Sequence, residues 1–293
     1  PPPHDMSPID LGVQEWENGR IVFLCYSYIG ESECYIYDYI LSGEIPSDIG
    51  NLVELRNLIL TWSELNGEIP PSIVNLTNLT ELKLHYNQLT GEIPIGLGNM
   101  TNLTDLYLRE NQFTGEIPTD IWGLVNLNRL FLEYNELSGE IPETFGDLVN
   151  LSYCNLKHNQ FSGQIPESIG NFENMIGLSL AHNQLSGIIP DSICTLVENS
   201  NSIYLYGNQL CPPYPECLSE EQLNGSWQTG GGEEDEQDIL ECESDPQIGD
   251  ECVTQDGWIG FYDCELCCWD EWIIENWLGD GWCDYLGGCG FEG

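Results

Sequence analysis

Basic residues are nearly missing from this chain. Its 293 residues hold 6 Lys and Arg against 49 Asp and Glu, a formal net charge of −43. Nucleic acids and anionic membranes both call for a cationic footprint, so neither is an expected partner. Long apolar runs are absent too. No stretch reaches the roughly 18 residues a membrane span requires, and the opening PPPHDMSPID does not have the charged and apolar regions of a signal peptide, so the chain is read as a processed form. Nucleophile elbows, zinc signatures and phosphate loops are likewise missing, which argues against an enzyme. Cations are unevenly spread: from Ser219 onward there are 21 acidic residues and no Lys or Arg.

What the chain has in abundance is repetition. Gly-x-Ile-Pro recurs at Gly43, Gly67, Gly91, Gly115, Gly139, Gly163 and Gly187, at a step that never varies. A fixed period of this size, with a Leu-x-x-Leu-x-Leu-x-x-Asn core, implies units that cannot fold alone and must stack. In LTELKLHYNQL, Leu79, Leu82, Leu84 and Leu89 are expected inward, and Leu82-Lys83-Leu84 alternates as a strand with one buried face. Asn87 is expected to bond backbone groups left unpaired by the turn, a role repeated by Asn111, Asn135, Asn159, Asn183 and Asn208. Ser63 interrupts this ladder near its start, and Asn208 falls one place late because the last coil is slightly longer than the others. The Gly of each anchor permits a tight backbone, and its Pro is expected to stop any regular element from running through.

LxGxIPxxxxxLxxLxxLxLxxN resembles the plant-specific class of leucine-rich repeats, over about 31–210. The resemblance implies an α/β solenoid: a right-handed superhelix with a parallel concave β-sheet and a mostly irregular convex side. Such repeats occur in plant receptor ectodomains, polygalacturonase inhibitors and secreted microbial proteins, so the fold alone does not choose a function.

Outward residues of successive strands should form columns about 4.8 Å apart. One column reads Thr61, His85, Arg109, Glu133, Lys157, Ala181. Its neighbours read Ile59, Lys83, Tyr107, Phe131, Asn155, Ser179 and Trp62, Tyr86, Glu110, Tyr134, His158, His182. Three of the six basic residues fall in these columns, with Arg129 at the edge. The expected ligand-binding set on the concave face is Trp62, Lys83, His85, Tyr86, Tyr107, Arg109, Phe131, Tyr134, Lys157 and His158, a basic and aromatic strip suited to an acidic peptide or a glycan. These columns do not form the uniform Thr array an ice-binding surface would want. Glu44, Glu68, Glu92, Glu116 and Glu140 form a further register, read as a solvated face.

Residues 1–30 are expected to form an N-terminal cap, with GRIVFLCYSY as a strand covering the first coil. Cys34 lies one repeat step before Leu58, so ECYIYDYILSGEIP reads as a degenerate first coil. Residues 211–217 form a Cys/Pro cap, 218–241 an acidic Gly-rich linker and 242–293 a Cys/Trp-rich module. Of thirteen cysteines, Cys154 sits at a Leu position and is read as a free buried thiol. The others are disulfide candidates: Cys25, Cys34, Cys194, Cys211, Cys217, Cys242, Cys252, Cys264, Cys267, Cys268, Cys283 and Cys289. Cysteines so placed point to an oxidising compartment. WLGDGWCDYLGGCGFEG resembles part of a Lin-12/Notch-type repeat, which implies calcium at Asp280 and Asp284; no other cofactor is expected.

Six Asn-x-Ser/Thr sequons, at Asn75, Asn78, Asn99, Asn102, Asn150 and Asn224, are glycosylation candidates, although the repeat consensus itself generates most of them. The reading is of an extracellular, secreted or cell-surface scaffold that recognises a protein or glycan, or adheres to one. The alternative is a structural subunit joined head to tail into a filament through the repeat ends and the Cys-rich tail.

Overall fold

The computed structural model describes residues 13–17, 20–27, 40–199, 202–224, 251–253, 259–263 and 267–270. Two compact units divide the chain, Pro1–Asp235 and Glu236–Gly293.

In the first unit each Leu-x-Leu segment adds one strand to a nine-stranded sheet. Its strands are Val13–Glu17, Arg20–Ser27, Asn57–Thr61, Glu81–Lys83, Asp105–Tyr107, Arg129–Phe131, Tyr153–Asn155, Gly177–Ser179 and Ser202–Tyr204. Pairing is parallel from Arg20–Ser27 onward, in a register that sets Leu58, Leu82, Leu106, Leu130, Cys154, Leu178 and Ile203 side by side. These side chains are buried in one continuous core that runs the length of the stack, with Cys154 as a free thiol in a Leu place. Burial pushes that thiol well above its usual range and keeps it unreactive.

The asparagine ladder forms as the sequence predicts. Asn135 Oδ1 accepts from Phe113 N at 3.0 Å, while its Nδ2 donates to Leu108 O at 3.1 Å and Leu132 O at 3.0 Å. One side chain thereby ties its own coil to the preceding one at two points. Asn87, Asn111, Asn159, Asn183 and Asn208 repeat the pattern. Ser63 is too short to bridge coils, and its hydroxyl donates within its own coil to Thr61 O at 3.2 Å.

Each coil carries a further strand that was not anticipated. A second, eight-stranded parallel sheet runs through the Gly-x-Ile-Pro anchors, with strands Ser42–Glu44, Glu64–Glu68, Gln88–Glu92, Gln112–Glu116, Glu136–Glu140, Gln160–Gly163, Gln184–Ile188 and Gln209–Cys211. Proline does stop these strands, but only after a full strand has formed, as in Gln88–Glu92. Glycine is needed there for two reasons. Gly91 has φ +77°, and a Cβ on it would stand 2.7 Å from Glu68 Cγ of the preceding coil. The Glu register is therefore stacked on the Gly register. Short 3-10 turns, from Ser47–Asn51 to Asp191–Ile193, close the coils.

The first coil departs from the period. Leu24 pairs with Leu58, so the strand beside Asn57–Thr61 lies further upstream than one repeat step, and Arg20–Ser27 takes the place expected around Cys34. Its IVFLCY run, rich in β-branched and aromatic residues, suits it to that sheet position. Val13–Glu17 then pairs antiparallel and ends the sheet. At the other end Cys194 and Cys217 form a disulfide, and helix Glu220–Asn224 covers the last coil, with Leu205 N donating to Gln222 O at 2.9 Å. That helix lies within the segment read as linker. Cys25 and Cys211 are also disulfide-bonded.

The second unit contains an antiparallel sheet of Glu251–Val253, Ile259–Asp263 and Cys267–Asp270, which places Cys252, Cys267 and Cys268 on strands. Cys34, Cys242, Cys264, Cys283, Cys289, Asp280 and Asp284 lie outside the described residues. Among the described residues no helix is long and apolar enough to cross a membrane.

Candidate functional site

The outer face of the nine-stranded sheet is shaped by a backbone requirement. The residue before each ladder Asn, and before the Ser63 that takes its place in the first of these coils, is left-handed: Trp62, Tyr86, Glu110, Tyr134, His158 and His182 have φ between 51° and 57°, and Gly207 has 67°. Such a conformation costs a side-chain-bearing residue about 1 kcal/mol or more. Most of these costly places hold rings, which stack along the coil axis. Trp62 and Tyr86 are 3.6 Å apart between centroids, Tyr134 and His158 4.5 Å, and His158 and His182 4.1 Å. Tyr206 meets His182 edge-on at 5.2 Å.

The column expected beside them is largely covered. Thr61, His85, Glu133 and Ala181 are buried, so only Arg109 and Lys157 of that column reach solvent in part. His85 lies 5.6 Å from both the Tyr86 and Tyr107 ring centroids. It cannot serve as an exposed contact, because its side chain is buried.

Most of the positive charge on this face is already matched. Lys83 Nζ is 2.9 Å from Glu81, Arg109 Nη1 3.3 Å from Glu133 and Arg129 Nη1 3.1 Å from Asp105. Arg109 also lies between Tyr86 and Phe131, at 5.3 and 5.8 Å from their centroids. Burial raises the Glu133 carboxyl above its usual range, against the pull of Arg109. Burial, then the Asp105 charge, pushes the Tyr107 phenol up to about 12. Arg20 and Arg56 pair with Glu54 and Glu17 away from these columns. The expected basic strip is thus an ion-paired and aromatic one.

Lys157 is the exception among the six cations, with no carboxylate partner among the described residues. Its Nζ sits 6.0 Å from the Tyr134 centroid and 5.7 Å from that of Tyr206. It can face Tyr206 two coils away because the coil between carries Gly177, Ser179 and Ala181, three small residues where neighbouring coils place larger ones.

Of the expected set, Trp62, Lys83, Tyr86, Tyr107, Arg109, Phe131, Tyr134, Lys157 and His158 share this face. Sequence reading missed Tyr204 and Tyr206, which stand 6.1 Å apart, because the longer last coil breaks the period. Counting back from Asn208 instead of forward by the repeat step would have found both. The eight-stranded sheet differs: its outer columns hold Glu or Gln, then Ser, Thr or Asn, then mostly Glu. Among the described residues no three His, Cys, Asp or Glu gather as a metal site.

Three of the sequons have a structural use. Asn78, Asn102, Asn126 and Asn150 donate Nδ2 to Val53, Thr77, Thr101 and Val125 carbonyls of the preceding coil at 2.8 to 2.9 Å, a second ladder that sequence reading did not anticipate. Asn75 and Asn99 are exposed, and Asn224 ends the capping helix.

Comparison with known proteins agrees with this architecture. Residues 77–121 match the model Leucine Rich repeats (2 copies), and 126–148, 150–172 and 174–196 each match Leucine Rich Repeat. No curated protein sequence matches the chain. The structure of PEPR1-AtPEP1 is similar at 31% identity and TM-score 0.63, over 72% of this chain and 28% of that one. The Arabidopsis receptor kinase HAESA ectodomain, in complex with an extended IDA peptide hormone, is similar at 34% identity and TM-score 0.61, over 64% of this chain and 32% of that one. A plant ice-binding protein matches at 25% identity and TM-score 0.50, over 74% of this chain and 83% of its own. The chain therefore spans a minor part of the first two.

Proposed function

We propose that this leucine-rich repeat solenoid is a non-catalytic extracellular scaffold that recognises a peptide or protein segment on the outer face of its nine-stranded sheet. One observation carries the reading: rings from Trp62 to Tyr206 gather on that face, while the other sheet presents carboxylates, amides and hydroxyls. Aromatic side chains supply large contact areas at low entropic cost, and strands from many coils present them on a rigid support. The similar HAESA structure holds a peptide hormone, which supports a peptide ligand here. The Cys194–Cys217 disulfide suits an oxidising, extracellular setting. Adhesion would use the same face.

A head-to-tail filament has weaker support. Helix Glu220–Asn224 and the disulfide cover the last coil, where a stacking partner would need bare edges. Ice binding finds no uniform threonine array on the ring-bearing face.

The test is selection of binders from a random displayed peptide library on the full chain. Changing Tyr107, Phe131 and Tyr134 together to Ser should abolish binding of the selected peptides, whereas changing Glu68, Glu92 and Glu116 together to Gln should not. The opposite pattern would reject this face as the site.

A further inference from the structure

Among the described residues, Lys157 is the one cation of six left without a carboxylate, on a molecule whose net charge is −43. A solvated lysine would ordinarily sit on the rim of a surface. This one is half-buried, spans the small-residue coil of Gly177, Ser179 and Ala181, and lies between the Tyr134 and Tyr206 rings. Around a net negative chain, an anion is repelled everywhere except where a local positive charge stands unpaired in a partly desolvated setting.

The rings nearby say what kind of anion. Tyr134, His158 and His182 turn their faces to one another, at interplanar angles of 22° and 6°, so the column presents ring edges to a ligand. Sugar rings pack their C–H faces on open aromatic faces, and here stacking takes both faces of His158 and one face each of Tyr134 and His182. Ring edges carry the positive end of the quadrupole and favour oxygens, such as the carbonyls and carboxylates of a peptide. Ser179 and Asn155 add polar groups next to Lys157, and Asn155 Oδ1 accepts the Lys157 N–H at 3.1 Å, fixing the local backbone.

We infer that the Lys157 ammonium, held between Tyr134 and Tyr206 above the Gly177/Ser179/Ala181 coil, is the anion-reading contact for an acidic side chain of a peptide laid across the nine-stranded sheet. The inference rests on the recognition reading above and narrows it: the rings give area, and Lys157 selects sequence. Lys83, Arg109 and Arg129 are spent on Glu81, Glu133 and Asp105 and do not take part in the selection.

The same random displayed peptide library tests it, selected in parallel on the full wild-type chain and on Lys157→Met, Lys157→Glu and Lys157→Arg, each first shown to melt with an unchanged transition. Wild type and Lys157→Arg should enrich Asp- or Glu-containing peptides. Lys157→Met should bind those same peptides about tenfold more weakly, and Lys157→Glu should no longer enrich acidic residues. If peptides selected on wild type dock on the ring-bearing face but are neutral or basic, or bind Lys157→Met equally well, the Lys157 assignment is wrong while the recognition face stands. If no peptide is enriched, or those enriched ignore the Tyr107, Phe131 and Tyr134 changes, both fall. A parallel arm offers oligogalacturonate; Lys157-dependent binding of it without acidic-peptide enrichment would overturn the choice of a peptide.

Discussion

Asn135 shows how much one side chain decides in this molecule. It closes bonds to Phe113, Leu108 and Leu132, and truncation would strand a buried N–H and two carbonyls. Each unsatisfied group costs about 1–3 kcal/mol. Asn135→Ala is therefore expected to lower unfolding free energy by about 3 kcal/mol or more in chemical denaturation, with the repeat ladder opened at its centre. Ser63→Asn should act in the other sense, gaining about 1 kcal/mol by supplying the missing rung near Leu41; no gain would mean the ladder geometry ends before that coil. Glu133 gives a pH test. Its carboxyl is raised in the folded state, so folded protein binds more protons than unfolded just above the ordinary carboxylate range, and the stability tied to Glu133 is lost as pH rises through the raised pKa. Glu133→Gln should flatten that fall and leave stability below it unchanged, measured by melting temperature against pH. The first ladder is legible in the sequence because Asn returns at a fixed step from Asn87 to Asn183, with Asn208 only one place late. The second, of Asn78 and Asn102, is hidden because the same letters spell a glycosylation sequon.

Among elements, the coils are legible in period and core, because buried Leu at fixed spacing leaves few alternatives. The second sheet is not. Its strands are short and run through Gly into Ile-Pro, so the breaker residues hide the strand even where its inward Leu, such as Leu89, is foreseen. Gly91→Ala separates the two reasons for that glycine: about 1–2 kcal/mol from the left-handed backbone plus an overlap with Glu68. Gly43, whose Cβ would meet nothing, should show only the first cost, and Glu68→Ala should recover part of the Gly91→Ala loss in a double-mutant cycle. The ends are harder still. Counting by the repeat step cannot find a strand that sets Leu24 beside Leu58, since capping segments answer to exposed apolar edges and not to the period. At the far end, removing the Cys194–Cys217 bridge should cost about 3 kcal/mol by chain entropy.

At the scale of the whole molecule, charge and shape are assigned to different surfaces. Carboxylates dominate the composition, and five of the six cations are tied to them in ion pairs, so self-repulsion should be felt throughout and added salt should raise the melting temperature. Sequence columns locate the aromatic face but overstate its basic character, because one letter per residue does not reveal that Glu81, Asp105 and Glu133 sit beside Lys83, Arg129 and Arg109. That pairing leaves recognition to rings and to Lys157. Hydroxyl-radical footprinting of the full chain, with and without a peptide selected on it, reads those rings directly. Oxidation should fall at Tyr86, Tyr107, Phe131, Tyr134 and His158 on peptide addition. Unchanged oxidation at these five, with protection instead at Tyr214 or at the tryptophans of residues 242–293, would contradict the account.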